Sequence, residues 1–225
     1  MTGALVLALT ASVAGAQAPV VAPADRTLAD TAALVEPRST VRRTLARADR
    51  ERQRRRDESR YDEHFKKYTK RFFGPEFDWR YFKAQGLAES ELNANARSYV
   101  GARGIMQLMP STYAAIATKR PELKQIDDPE SNIAAGLMHD RYLWTRWQKK
   151  SVGEGERHRF MFGSYNAGEG PIIRAVSAAR LARLHDAQWA SVEQVAPKIE
   201  RWRYRETLGY VRKIDTTYAR LRKSR

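Results

Sequence analysis

Two neighbouring stretches decide how this chain reads: Gly86-Leu87-Ala88-Glu89-Ser90 and Ser98-Tyr99-Val100-Gly101-Ala102-Arg103-Gly104-Ile105-Met106-Gln107-Leu108-Met109-Pro110. The first closes an apolar helix that carries one acid. Asp78 is placed to cap that helix, and Trp79, Phe82, Leu87 and Ala88 give it a buried face reaching about Asn93. The second reads as a loop over residues 94–105, punctuated by Gly101 and Gly104, which hands over to a helix at Pro110-Ser111-Thr112. A carboxyl set among Leu87, Ala88 and Leu92 loses solvation of its charged form, so its pKa rises and it can hold a proton near neutral pH. Glu91, two positions on, points to another side of the helix.

Outward from there the pattern stays helical. Asp128-Pro129 and Ser131 start a third helix, with Ile133, Leu137, Trp144 and Trp147 at helical spacing. A fourth carries Phe160, Phe162 and Tyr165 and closes before Asn166-Ala167-Gly168. A fifth opens around Pro171 with Ile172, Ile173 and Val176, and the last runs through Leu208, Val211, Ile214, Tyr218 and Leu221. No stretch alternates with period two and no internal repeat is visible, so the expectation is one mainly α domain over residues 75–225.

Read in order, the two stretches above, Ser164-Tyr165-Asn166-Ala167-Gly168 and Glu206-Thr207-Leu208-Gly209-Tyr210-Val211 resemble the catalytic domain of the soluble and membrane-bound lytic transglycosylases. The resemblance covers roughly Asp78 to Arg220, with the separations from Glu89 to Ser98 and to Gln107 as the family has them. It implies a lysozyme-like fold of the goose type, no cofactor, and peptidoglycan glycan strands as substrate. It implies cleavage of the N-acetylmuramic acid–β-1,4–N-acetylglucosamine bond, with Glu89 first an acid and then a base. The muramic acid's own 2-acetamido and 6-hydroxyl groups complete the reaction and leave a 1,6-anhydro product. Residues 92–121 contain no acidic residue, which suits a single-carboxylate scheme, although a distant carboxylate could fold back.

By position, the resemblance gives Ser98 a contact with the N-acetyl group and Gln107 a place lining the sugar groove. Met106 and Met109 wall the pocket, Tyr165 and Asn166 bind sugar beside the acid, and Tyr210 lies near it. Ser90 orders the turn after the acid, and Gly101, Gly104 and Gly168 serve backbone geometry. The alternative reading of Tyr165 and Tyr210 is core packing, with each hydroxyl finding a partner. Gln107 is harder to place in a core, since a buried amide without partners is costly. Ser164, Gly209 and Ala94 stand where the family usually has Ala, Asn and Pro, departures that touch loops and not chemistry. The rivals are a hydrolytic muramidase on the same fold and a basic wall-binding protein without turnover.

Composition narrows the rest. The 225 residues carry 41 Lys and Arg against 26 Asp and Glu, a net charge of +15, so an anionic partner or surface is expected. The absence of cysteine excludes a disulfide scaffold, thiolate zinc sites, a thiol nucleophile and a lipidated N-terminal cysteine. His64, His139, His158 and His185 are far apart in sequence with no His-Glu-x-x-His, so no metal site is read, and no Gly-x-Ser-x-Gly marks a nucleophilic serine. Nucleic acid is not the expected partner, because no recognition motif accompanies the positive charge. The expected enzyme is a monomer.

Upstream, residues 1–16 are small and apolar and end in Ala14-Gly15-Ala16, as a secretory signal does, although no Lys or Arg precedes the run. An uncleaved anchor or a disordered tail are the other readings. A cleaved signal implies the periplasm or envelope; an intact start implies a cytoplasmic, phage-type lysin. Residues 17–74 read as an Ala/Pro/Val-rich linker followed by a basic, partly helical lead-in able to touch an anionic surface. Val41, Leu45, Tyr61, Phe65 and Tyr68 look too sparse for a core, unless Tyr61, Phe65 and Tyr68 pack as one helical face. No second globular domain fits before residue 75.

Overall fold

The computed structural model describes residues 38–223, which form nine α-helices and one short 3-10 turn. The expected signal and most of the expected linker lie outside the described residues. The chain divides into two units at Glu51–Arg52. Of the first, the described part is the start of α1 (Arg38–Ser59), an Arg-rich helix whose described side chains are exposed. No described helix is long and apolar enough to cross a membrane.

The second unit, Arg52–Arg225, holds the core. It opens with α2 (Asp62–Phe73), and here the sequence reading is overturned. Tyr61, Phe65 and Tyr68 are not too sparse for a core: all three are buried in it, Phe65 completely. Positions 61, 65 and 68 are spaced 4 and 3 apart, so on a helix they form one narrow apolar stripe in a highly charged segment. That stripe packs α2 on the long central helix α5 (Pro129–Lys149) and on α3 (Arg80–Ser90). Lys83 of α3, nearly buried, reaches Asp62 at 2.7 Å and adds an ion pair to the same junction. The compact unit therefore begins upstream of the boundary expected at residue 75.

Several helices start where their residues dictate. Asp78 accepts the Arg80 N–H at 3.0 Å at the entry to α3. At α5, Asp128 accepts the Ser131 N–H at 2.9 Å and Pro129 occupies the first turn, where its missing N–H costs nothing. α4 (Pro110–Ala117) also opens on a proline. α6 (Glu154–Ala167) packs against α5, with Phe160 against Trp147, while Phe162 faces Tyr81 and Phe82 of α3. α7 (Glu169–Leu181) begins two residues before Pro171, directly after Gly168, whose φ of 78° turns the chain from α6. α8 (Trp189–Val195) is not among the helices expected from the sequence. It drives Trp189 onto Gly163, where a Cβ would meet the ring at 2.4 Å. The last helix, α9 (Tyr204–Lys223), lies along α3. It runs antiparallel to α3, since Tyr218 meets Asp78 at one end and Tyr210 meets Glu89 at the other.

Candidate active site

The site is built on the C-terminal turn of α3. That helix ends at Ser90, three residues earlier than its apolar pattern suggests, because Glu91 and Leu92 both turn left-handed, with φ of 55° and 63°. Each such residue costs about 1–3 kcal/mol, which the burial of Leu92 helps to offset. The Glu91 N–H closes on Leu87 and the Leu92 N–H on Gly86, so the final carbonyls are satisfied and the turn is fixed. Gly86 permits the packing: a Cβ there would meet Leu92 at 2.9 Å, Phe65 at 3.0 Å and Ile105 at 3.3 Å. Through Phe65, the charged lead-in thus supports the turn that presents Glu89.

Glu89 is partly exposed as a residue, yet its carboxyl is enclosed, and desolvation raises its pKa to about 7. Two groups oppose the rise: a hydrogen bond from the Tyr210 hydroxyl to Oε1 at 2.5 Å, and the positive charge of Lys213. Lys213 also donates to the Ala88 carbonyl at 3.1 Å, so α9 supplies both neighbours of the acid from positions three apart. Burial and the nearby Glu89 hold the Tyr210 hydroxyl far above its ordinary pKa, so it remains a donor.

Residues 91–109 form the facing loop. Arg103 exchanges backbone hydrogen bonds with Leu108 and pairs with Arg97, giving two isolated bridges. Ser98 is half-buried at its base, and its Oγ accepts the Ala102 N–H at 2.9 Å. Ser90, at the end of α3, donates to the Ile105 carbonyl at 2.9 Å. Tyr165 donates to the Met106 carbonyl at 2.8 Å and so ties α6 to the loop. Met106 itself is fully buried against Gly136, so its side chain is core and does not wall the groove. Met109 is substantially exposed at the entry to α4. Asn166 is exposed at the end of α6.

Gln107 solves the problem of a buried amide by turning inward. At a φ of 44° it directs Nε2 to the carbonyls of Gly104 and Ala96, at 2.9 and 3.3 Å. Gly104 is required twice over: its φ is 76°, and a Cβ would lie 2.4 Å from Asn132. Asn132, from α5, is the organiser that sequence reading missed. Its amide donates to the carbonyls of Arg103 and Ile126, and its Oδ1 accepts the Met106 N–H. Ser164 also gains a reason, since its hydroxyl accepts the Trp147 indole N–H at 2.9 Å inside the core. Gly209 sits in open space and nothing in the structure calls for it. Among the described residues, no group of three acids or histidines comes together as a metal would need.

Residues 65–183, more than half of the chain, match the family model described as the transglycosylase SLT domain. The chain belongs to this family. The matched region starts at Phe65, the central residue of the buried α2 stripe. Among curated relatives, the membrane-bound lytic murein transglycosylase F of Pseudomonas fluorescens is 28% identical over 68% of this chain and 30% of that protein. Its counterpart in Shewanella sediminis is 31% identical over the same shares. The chain thus spans about a third of the length of these relatives. The crystal structure of the 70 kDa soluble lytic transglycosylase from Escherichia coli superposes with a TM-score of 0.55 at 27% identity, covering 72% of this chain and 24% of that one. The complex of the 70-kDa enzyme with bulgecin A gives 0.56 at 26% identity, covering 73% and 25%. The fold is accordingly mainly α and lysozyme-like, that of an SLT-type lytic transglycosylase domain.

Proposed function

We propose that this chain is a peptidoglycan lytic transglycosylase that cleaves the N-acetylmuramic acid–β-1,4–N-acetylglucosamine bond in the cell envelope and leaves a 1,6-anhydro end. The observation that carries the reading is Glu89: an enclosed carboxyl with a pKa near 7, held at Oε1 by a phenol that stays protonated. Near pH 7 such a group is as ready to give a proton as to take one. Glu89 protonates the glycosidic oxygen as the bond to C1 breaks, while the substrate's 2-acetamido oxygen closes on C1. The resulting carboxylate, stabilised by Tyr210 and Lys213, then removes the proton from the 6-hydroxyl as that oxygen attacks C1 and displaces the acetamide. Glu89 ends protonated again and no water is consumed.

A second carboxyl does fold back towards Glu89, and it supports this scheme over hydrolysis. Asp140 interacts electrostatically with Glu89 but has no exposed surface, so it has no route to a water or a sugar. Ser98, Gln107, Met109, Tyr165, Asn166 and Tyr210 are proposed as the residues that shape the sugar-binding site. Of these, Tyr165 and Gln107 act by fixing the loop, and the exposed Asn166 and Met109 are free to meet the glycan.

The test is Glu89→Gln on purified peptidoglycan with mass spectrometry of the products. Rate should fall by about 10²–10⁴-fold with the fold intact. Products of the native protein should be about 18 daltons lighter than hydrolysis products and lack a reducible muramic end. Activity retained within a few-fold in the variant would remove Glu89 from the reaction, and mainly reducible ends would make the enzyme a muramidase.

A further inference from the structure

Behind Glu89 lie two polar side chains that the proposed reaction does not use. Gln85 sits one helical turn before Glu89 on α3, on the same face. Asp140 projects from the middle of α5, and both residues are 0% exposed. Gln85 Nε2 donates to Asp140 Oδ1 at 3.3 Å. The remaining oxygen of each group, Gln85 Oε1 and Asp140 Oδ2, is buried with no hydrogen-bond partner among the described residues. If Asp140 is ionised, both are buried acceptors without a protein donor, a costly arrangement.

No cation relieves it. The groups that reach Asp140 electrically are Glu89 on α3, Tyr165 on α6 and Tyr210 on α9, all of them acids. Lys83, two residues before Gln85, is committed to Asp62 at 2.7 Å. On α2, which also packs on α5, Lys67 is held by Glu130 at the far end of that helix. One proton, however, removes both defects at once. Placed on Asp140 Oδ2 it is donated to Gln85 Oε1, while the Gln85 amide continues to donate to Oδ1. A carboxylic acid and a primary amide then share two parallel hydrogen bonds.

We propose that Asp140 carries a proton at neutral pH and forms with Gln85 a neutral, two-bond pair that fixes the turn of α3 bearing Glu89. Asp140 is a positioning residue on this account, acting through Gln85 and touching no substrate. Burial, which raises its pKa well above the carboxylate range, agrees with the hydrogen-bond geometry. Neutrality has a purpose: a charge here would add to the desolvation of Glu89 and hold its proton too tightly for transfer. The positioning role rests on Glu89 being the acid, whereas the proton on Asp140 does not.

Asp140→Asn tests both parts, because an asparagine amide reproduces the pair without an ionisable group. In denaturant titrations of the full chain between about pH 5 and 8, the variant should gain on the native protein as pH rises. The ratio of their unfolding constants should change about tenfold per pH unit while folded Asp140 stays protonated. In a Glu89→Gln background at pH 7, the infrared band of a protonated carboxyl should be present, and Asp140→Asn should remove it. The alkaline limb of the peptidoglycan-cleavage profile should stay in place in Asp140→Asn, with the rate within a few-fold of native. Parallel stability curves, no such infrared band, or an alkaline limb moved to lower pH would each show an ionised Asp140 and overturn the proposal. Asp140→Leu keeps the volume but cannot hold Gln85, and should lower kcat about tenfold or more with KM unchanged. Activity equal to that of Asp140→Asn would overturn the positioning role. Were no protein to cleave peptidoglycan, the reading of Glu89 would fall, and the stability and infrared results would still decide where the proton is.

Discussion

At the scale of single residues, the site turns on the balance around one carboxyl. Desolvation raises the pKa of Glu89 to about 7, and Tyr210 and Lys213 hold it from going higher. Tyr210→Phe removes a hydrogen bond that favours the carboxylate, so the alkaline limb of the pH–rate profile should move up and the rate near pH 7 should fall about tenfold or more. An unmoved limb would show that the phenol does not tune the acid. The same balance affects stability. The folded pKa lies above the ordinary value of 4.5, so the stability tied to protonated Glu89 is complete below about pH 4.5 and is lost as pH rises through 7. Glu89→Gln should therefore match the native protein near pH 4 and exceed it at pH 8, by at most about 3 kcal/mol, in chemical denaturation. Glu89 and Ser90 stood out in the sequence as candidates because they lie within one helical turn beside a recognisable motif. Asn132, Lys213 and Asp140 did not, because each reaches the site from a separate helix and carries no motif of its own.

At the scale of elements, the loop over residues 91–109 and helix α2 matter most. The loop has little regular structure and is held by side chains from its neighbours: Ser90 of α3, Asn132 of α5 and Tyr165 of α6. Asn132→Ala leaves two carbonyls and an N–H without their partner and should cost about 2–4 kcal/mol in denaturation, with a loss of activity from a displaced loop. Helix α2 teaches a different lesson. Phe65→Ala should cost about 3–5 kcal/mol, the price of an aromatic cavity beneath Gly86. A variant that unfolds at the native denaturant midpoint would show that α2 is a passenger. Three apolar residues in a basic run were too faint to settle the matter in sequence, since a solvated helix and a docked one share the same spacing.

At the scale of the whole molecule, the net charge of +15 is spread along the chain, and an arginine-rich helix precedes the core in sequence. Residues 1–60 carry a net +4, and α1 alone has nine arginines against four acids. Deleting residues 1–60 spares Tyr61 and all of α2, so turnover of soluble glycan fragments should persist. Binding to intact, anionic wall sacculi should weaken, and the difference from the full chain should fade with salt, because exposed charges are screened beyond about 8–10 Å at physiological ionic strength. Deletion through Phe73 should instead destroy activity on soluble fragments at every salt concentration, since it removes Phe65 and Tyr68 from the core. Retained activity after that longer deletion would overturn the packing described for α2.

The sequence by itself determined the helical class and the order of motifs around Glu89, because helix periodicity, capping and short motif spacing are local properties of the chain. It also carried the absence of any acid from residues 92–121. Only the tertiary structure decided which basic segment joins the core, which way Gln107 and Met106 turn, and that a second carboxyl lies behind the first. Those outcomes depend on which buried groups find partners across helices far apart in the chain, and that is a property of packing, which no single stretch of residues contains.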